Sequence, residues 1–148
     1  MSLPLAFRPA ADADVPLILN SWLMSYRNSA FAKAIPNDVY FGDNGHRGRI
    51  LSLLAGEPYL LVACSPEDED DVRGWICATV PAERGELTDH AVVHYVYVKQ
   101  IWRRHGIATR LLKLAVPEGV PVVATHDMPV ARKLPVEFTY DPYRMALQ

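Results

Sequence analysis

The sequence lacks the features that mark several broad classes of protein. No apolar run approaches the roughly 20 residues that a membrane-spanning helix needs, and Met1 to Pro4 carry neither the basic segment nor the apolar core of a secretory signal. Only two cysteines, Cys64 and Cys77, occur in 148 residues, and their spacing is not that of a zinc site. Both lie in apolar runs, which predicts buried, reduced thiols. We therefore expect a cytoplasmic protein without a membrane segment, a bound metal or a disulfide.

An excess of charge of either sign is also absent. The formal net charge is −2, with 22% charged and 50% hydrophobic residues, a balance typical of a globular domain that gives no overall attraction to nucleic acid. The chain has the length of one ordinary domain, so we expect a single domain over residues 1–148. One dense acidic block, Glu67–Asp71, predicts a solvated hairpin tip, because like charges repel and stay in water.

Hydrophobic periodicity predicts an α/β fold. A short strand at Leu5–Arg8 precedes a helix for which Asp12 and Asp14 offer N-cap oxygens, and Trp22 and Tyr26 lie on its apolar face. The other predicted elements are a helix ending at Gly56, strands at 59–64, 75–80, 91–98, 120–125 and 138–147, a helix from Ile107 stopped by Pro117, and a brief helix at 126–134. Three consecutive strands followed by a β-α-β crossover predict a mixed sheet with helices on its faces.

The segment with the most chemical information, Tyr95–Leu112, joins the end of a predicted strand to the start of a predicted helix. Helix starts leave backbone N–H groups unpaired and carry a positive dipole end, which suits a phosphate. Gly106 and Ala108 would let a pyrophosphate approach the backbone closely. Four neighbouring side chains add positive charge or a hydroxyl: Arg103, Arg104, His105 and Thr109. An ordinary surface turn explains these residues equally well.

A family resemblance favours the phosphate-binding interpretation. Arg103-x-x-Gly106-x-Ala108 resembles the (Gln/Arg)-x-x-Gly-x-(Gly/Ala) signature of the Gcn5-related N-acetyltransferases (GNAT), and the similarity extends to Val98 as the last residue of a fourth strand and to an aromatic residue at Trp102. The resemblance implies the GNAT fold, a mixed and mostly antiparallel sheet flanked by helices. It also implies an N-acetyltransferase that moves the acetyl group of acetyl-CoA to a primary amine by direct attack.

The same resemblance assigns cofactor-binding residues. In such enzymes the fourth and fifth strands splay apart, and the pantetheine arm pairs with the freed backbone of the fourth, which corresponds here to Val96, Tyr97 and Val98. The pyrophosphate lies on the turn and the helix start, which correspond to Arg103, Arg104, His105, Gly106, Ile107, Ala108 and Thr109. Acetyl-CoA is then a co-substrate, and no metal is implied.

Candidate catalytic residues come from the same comparison. His94 resembles the position where serotonin N-acetyltransferases carry a histidine that accepts a proton, and an imidazole titrates near neutral pH. A packed strand histidine with a satisfied ring is the alternative. The family's general-acid tyrosine corresponds here to Ala131, so Tyr140 and Tyr143 are the candidate acids, with His126–Asp127 as a further option.

Two other functions stay open. One is a non-catalytic CoA-binding or regulatory module, which Ala131 favours. The other is a family offshoot that modifies nucleobases or uses another acyl-CoA, for which the available basic cluster is Arg27, Lys33, Arg47 and Arg49. The segment Ser25–Gly45, which should shape the acceptor pocket, contains no motif that identifies the acceptor as a small molecule or a protein. The oligomeric state is equally open, with a homodimer among the options.

Overall fold

A computed structural model describes residues 3–56, 58–79, 91–116, 120–126 and 138–140. The helices are α1 (Val15–Tyr26), α2 (Ala30–Lys33), α3 (Asn37–Tyr40), α4 (His46–Ala55) and α5 (Ile107–Ala115), with 3₁₀ turns at Asp12–Asp14 and Gln100–Trp102. The strands are β1 (Ala6–Pro9), β2 (Tyr59–Ser65), β3 (Asp68–Thr79), β4 (Ala91–Val98), β5 (Val122–Ala124) and β6 (Phe138–Tyr140).

These strands form one six-stranded sheet in the order β1-β2-β3-β4-β5-β6. The pairs from β1 to β4 are antiparallel, whereas β5 and β6 continue the sheet in parallel with β4. The crossover from β4 to β5 runs through α5, as a parallel connection requires. The predicted mixed, mostly antiparallel sheet is therefore confirmed.

Helices cover both faces of the sheet. The indole of Trp75 donates to Ser21 of α1 and packs on Trp22, whereas a side chain at the adjacent Gly74 would point toward Ile107 of α5. Because successive strand residues point to opposite faces, α1 and α5 lie on opposite sides of β3. The predicted apolar stripe of α1 is confirmed, since Trp22 and Tyr26 are buried in the core.

The acidic block Glu67–Asp71 lies at the exposed end of the β2–β3 hairpin, as the sequence predicts, but most of it belongs to β3 and not to the turn. The turn between β2 and β3 consists of Pro66 and Glu67, and β3 begins already at Asp68. Arg8 donates to the backbone carbonyl of Glu69 at 2.9 Å, which ties this part of the hairpin to β1. Alternating hydrophobicity could not reveal this strand extension, because its side chains are mostly exposed and charged.

Other differences concern segments without a clear pattern. The segment Ser25–Gly45 contains the short helices α2 and α3. The predicted helix at 126–134 lies outside the described residues apart from its first position, and the strand predicted at 138–147 is described only at 138–140.

Asp14 has a different role from the predicted N-cap of α1. Its carboxylate accepts the backbone N–H of Ala11 at 2.7 Å and two bonds from the Arg8 guanidinium at 2.7 and 2.9 Å. The hydrogen bonds from Arg8 hold the pKa of Asp14 below its usual range. The side chains of Arg8 and Asp14 are only 21% and 11% exposed, so this bidentate pair is shielded from solvent and joins β1 to the start of α1.

Asp14→Asn is expected to lower the free energy of unfolding by about 2 kcal/mol at neutral pH, between the values for exposed and fully buried ion pairs. Because the folded-state pKa of Asp14 lies below its unfolded value of about 3.9, the stabilisation is complete above about pH 4. It is lost as the pH falls through the folded-state pKa, so wild type and variant should converge in acid. Urea unfolding at several pH values measures this. Asp12→Asn, which removes an exposed carboxylate of the same turn, should change stability little; an equal loss there would contradict the prediction.

Both cysteines are buried as free thiols, as the sequence predicts. Burial raises the pKa of the Cys77 thiol well above its ordinary value, which keeps it protonated and unreactive. Among the described residues, no helix is long and apolar enough to cross a membrane.

Candidate active site

The candidate site lies where β4 separates from β5. Pairing between these strands joins Ala91–Val93 to Val122–Ala124, and the Thr125 N–H still donates to the Val93 carbonyl at 3.2 Å. Beyond that point β4 continues for five residues, and the last four of them, Tyr95–Val98, are paired with β3 on the other side. Among the described residues, Val96–Val98 therefore have no strand beside them on the β5 side, as expected if β4 and β5 splay apart.

A β-bulge in β4 sits at the point of separation. Tyr95 pairs with Cys77, but the next pair along β3 joins Ala78 to Val93, so His94 is the extra residue. The backbone N–H of Lys99 donates to the Arg73 carbonyl. Because the backbone groups of successive strand residues face opposite edges of the strand, those of Val98 face away from β3. The bulge thus shifts the alternation of backbone and side-chain directions by one residue between the part of β4 that pairs with β5 and the open part.

The turn after β4 has the geometry of an anion-binding helix start. Gly106 is the N-cap of α5 with φ 75°, and Arg104 has φ 70°. The first bond of the helix runs from the Arg110 N–H to the Gly106 carbonyl, so the preceding N–H groups have no acceptor inside the helix. A left-handed conformation at a non-glycine residue costs about 1–2 kcal/mol, and such strain is concentrated at functional sites.

The predicted cofactor residues are divided between the surface and the core. The side chains of Arg103, Arg104 and His105 are exposed around the turn, whereas Ile107 is buried in the core and can offer only its backbone N–H. A Cβ atom added to Gly106 would meet no atom within 4 Å, so the space in front of the helix is open. The Arg103 Nε donates to the Val98 carbonyl at 2.9 Å and links the turn to the open edge of β4.

Two arginines hold the turn and α5 against the N-terminal segment. The Arg73 guanidinium stacks on the Trp102 ring at 3.9 Å from its centroid and reaches the Pro4 carbonyl. The Arg110 side chain donates to the Leu3 carbonyl at 2.8 Å. Sequence reasoning missed both contacts, because they join residues far apart in the chain.

His94 is fully buried, with 0% of its surface exposed. Its Nε2 lies 3.1 Å from the Thr79 hydroxyl, and its Nδ1 lies 3.3 Å from the Thr125 hydroxyl. The ring therefore has the satisfied, packed environment that was the alternative to an open base. A proton can reach it only through a partner such as these hydroxyls.

A second buried histidine continues this network toward α4. His126 Nδ1 lies 3.0 Å from Thr125 Oγ1, and His126 Nε2 lies 3.4 Å from the Trp22 indole nitrogen and 3.3 Å from His46 Nε2. Burial, followed by the neighbouring histidines, lowers the pKa of His126 well below its usual range. Burial also lowers the pKa of the half-buried His46 to about 4, with a smaller contribution from Arg49. Both rings are therefore neutral at physiological pH.

An aromatic cluster surrounds these histidines on the α1 side of the sheet. Tyr95 stacks on Trp22 with centroids 5.4 Å apart, and its hydroxyl lies 2.7 Å from the Ser25 hydroxyl. Tyr26 packs edge-on against His126 at 4.6 Å. Burial raises the pKa of Tyr95, so its phenol stays protonated. The helical spacing of Trp22 and Tyr26 pointed to a core face, but only the fold shows that this face meets the histidines.

The candidate acids are only partly visible. Tyr140 lies on β6 opposite Ala124 and is 49% exposed. Tyr143, Asp127 and Ala131 lie outside the described residues.

The basic cluster proposed for nucleic acid is engaged in contacts of its own. Arg27 donates to the Ala32 carbonyl and to Asn37, and its guanidinium lies 4.8 Å from the centroid of the Tyr40 ring. Arg47 pairs with Asp43 at 3.0 Å. Arg27 therefore stabilises the connection from α1 to α3, and no observation favours a nucleic-acid surface.

An open strand edge thus lies beside a glycine-capped helix start, the arrangement that the resemblance implied for binding an acyl-CoA. A sequence model of the Acetyltransferase (GNAT) family matches residues 20–120. The chain belongs to the GNAT acetyltransferase family.

Solved structures share the fold. A GNAT family acetyltransferase from Brucella melitensis in complex with acetyl-CoA has a TM-score of 0.53 at 19% identity, over 87% of this chain and 80% of that one. The Corynebacterium glutamicum structure named histone acetyltransferase HPA2 and related acetyltransferase has a TM-score of 0.52 at 20% identity, over 74% and 68%. A GNAT family acetyltransferase from Staphylococcus aureus is aligned over 75% of this chain and only 62% of that one, at 14% identity, and its TM-score of 0.48 is too low to count toward the shared fold. No curated protein sequence matches the chain.

Proposed function

We propose that this protein is an N-acetyltransferase that transfers the acetyl group of acetyl-CoA to a primary amine by direct attack, with residues 1–148 acting as one domain. The observation that carries the proposal is the position of the glycine-capped helix start directly after the open edge of β4, in a member of an acetyltransferase family. The acceptor is a small molecule or a protein, and its pocket would lie on the α1 side of the sheet.

Binding would use backbone groups more than side chains. The N–H groups of Ile107, Ala108 and Thr109 would hold the pyrophosphate at the positive end of the α5 dipole, and Arg104 and His105 would add charge at its rim. Val96, Tyr97 and Val98 would border the pantetheine arm, which would pair with the backbone groups of Val96 and Val98 that face away from β3. Arg103 would keep the turn in register with this edge through its bond to the Val98 carbonyl.

The reaction requires one proton to leave the amine nitrogen and one to reach the departing sulfur. We propose His94 as the base, acting through the Thr79 hydroxyl because its ring is buried. The phenol of Tyr140 or of Tyr143 would supply the second proton. The support for Tyr140 is its position at the last described residue of β6, opposite the last residue of β5.

A non-catalytic CoA-binding module is the second candidate. Two observations favour it. By the resemblance, Ala131 occupies the position of the family's general-acid tyrosine, and both ring nitrogens of His94 are already hydrogen-bonded. Such a module would bind acetyl-CoA with the same residues and release it unchanged.

Ligand-induced stabilisation tests the binding step that both candidates share. CoA at 100 times its dissociation constant should raise the free energy of unfolding by about 2.7 kcal/mol, a shift of several degrees in the thermal midpoint. Adenosine without phosphates is the matched control and should have no comparable effect. The absence of a shift at millimolar CoA would refute acyl-CoA binding.

Product analysis then separates the two candidates. Incubation with acetyl-CoA and pooled primary amines, peptides and nucleic acid, followed by mass spectrometry, should reveal an acetylated amine and free CoA in equal amounts. Stabilisation by CoA without turnover of any amine would support the non-catalytic module.

A further inference from the structure

The donor and the acceptor of each hydrogen bond around His94 can be assigned one after another, starting from Trp22. An indole N–H can only donate, so the contact from Trp22 requires His126 Nε2 to be an acceptor. His46 Nε2, the other neighbour of that nitrogen, must then donate to it as well. Because a neutral imidazole carries one hydrogen, the hydrogen of His126 lies on Nδ1, which donates to Thr125 Oγ1 at 3.0 Å.

The Thr125 hydroxyl contacts both His126 and His94, so it links the assignment of one ring to that of the other. Its oxygen accepts from His126, and we assign its single hydroxyl hydrogen to the backbone carbonyl of His94 at 3.4 Å, because that oxygen can only accept. The remaining contact of Oγ1, with His94 Nδ1 at 3.3 Å, is satisfied when that nitrogen carries a hydrogen. His94 Nε2 is then the bare nitrogen, and it accepts from the Thr79 hydroxyl at 3.1 Å.

We propose that Thr125 and His126 are positioning residues that hold His94 in the tautomer with hydrogen on Nδ1, so that Nε2 is the proton acceptor. This inference deepens the proposed function and rests on it wherever it concerns turnover. His94, Thr125 and His126 are 0%, 3% and 2% exposed. Water therefore cannot replace a missing partner without reorganisation, and the contacts with Thr125 and Thr79 favour this tautomer.

The selected tautomer suits the proton transfer that acetylation needs. An N–H bond of the amine breaks as its proton passes to Thr79 Oγ1, and the hydrogen of that hydroxyl passes to His94 Nε2. The resulting imidazolium keeps its Nδ1–H bond to Thr125, which stabilises the new charge. With the hydrogen on Nε2 instead, the nitrogen facing Thr79 would have no lone pair to accept a proton.

Thr125→Val tests the positioning role, because valine keeps the shape of threonine and removes the hydroxyl. Two-bond proton–nitrogen correlation spectra of nitrogen-isotope-labelled histidine report which ring nitrogen is bare. We expect the Nδ1–H form for His94 and His126 in the wild type and a mixture of forms at His94 in Thr125→Val. We also expect kcat to fall roughly tenfold to 10⁴-fold, the upper value being typical where the partner that orients a histidine base is lost, with the KM for acetyl-CoA unchanged.

Thr125→Ser should restore both the single tautomer and kcat, and Thr139→Val at an exposed threonine of β6 should change neither. An Nε2–H form of His94 in the wild type would overturn the proposal, as would normal kcat in a folded Thr125→Val variant. A wild type that acetylates no amine would refute the proposed function instead, and the spectra would still decide the tautomer.

Discussion

Replacing His94 by alanine is expected to lower kcat by roughly 10²–10⁴-fold, the usual contribution of a general base, with little change in the affinity for CoA. The imidazole is the only basic group in the Thr79–His94–Thr125 chain, since the other two groups are hydroxyls. Without it, neither hydroxyl can retain the proton of the amine. Steady-state kinetics with saturating acetyl-CoA, alongside CoA titration of the same variant, measures both quantities.

His94→Gln separates loss of the base from loss of packing. Glutamine offers polar atoms to the two threonine hydroxyls but cannot take up a proton at neutral pH, so it should be nearly as inactive as alanine while keeping more stability. Near-normal turnover in either folded variant would refute His94 as the base. The base would then be His126 or a group of the acceptor itself.

Gly106→Glu is expected to weaken CoA binding by at least about 100-fold, equivalent to roughly 2.7 kcal/mol. Space in front of Gly106 is open, so the new carboxylate can be placed without a clash, but it would occupy the helix start and repel a pyrophosphate. Isothermal titration with CoA measures the loss, and circular dichroism checks the fold.

Gly106→Ala is the matched control for this variant. Gly106 has φ 75°, so any other residue adds a left-handed conformation that costs about 1–2 kcal/mol of stability. Alanine introduces that strain without the charge and should retain most of the affinity. Unchanged CoA affinity in folded Gly106→Glu would show that the pyrophosphate binds elsewhere.

Elements with strong local patterns were predictable from the sequence. The valine- and tyrosine-rich run at Ala91–Val98 and the apolar helix that starts at Ile107 and stops before Pro117 have the predicted bounds. Gly106 was identified as a helix start, and its positive φ supplies the physical reason for glycine there. In each case the signal lies within a few residues, so no knowledge of distant contacts was needed.

Predictions that depended on strand register were less complete. The resemblance assigned His94 as a candidate base, but the sequence did not predict the bulge at this residue, and the ring is buried between two hydroxyls. A bulge is set by pairing with β3 and leaves no mark in the local hydrophobic pattern. The start of β3 within the acidic block was missed for a similar reason, because it depends on the pairing of Asp68 with Ser65 of β2, whereas exposed charges favour a loop on their own.

Local periodicity in the sequence determined the long strands and helices of the described sheet, and the resemblance carried by a short motif indicated the family and the helix start that should hold a pyrophosphate. Tertiary structure alone decided the surroundings of the proposed base. Thr125 is separated from His94 by 31 positions, and Trp22 from His126 by 104. Such contacts form only when β5 pairs with β4 and α1 covers the sheet. The state of a buried imidazole is then set by its partners, because no water can reach it to compete.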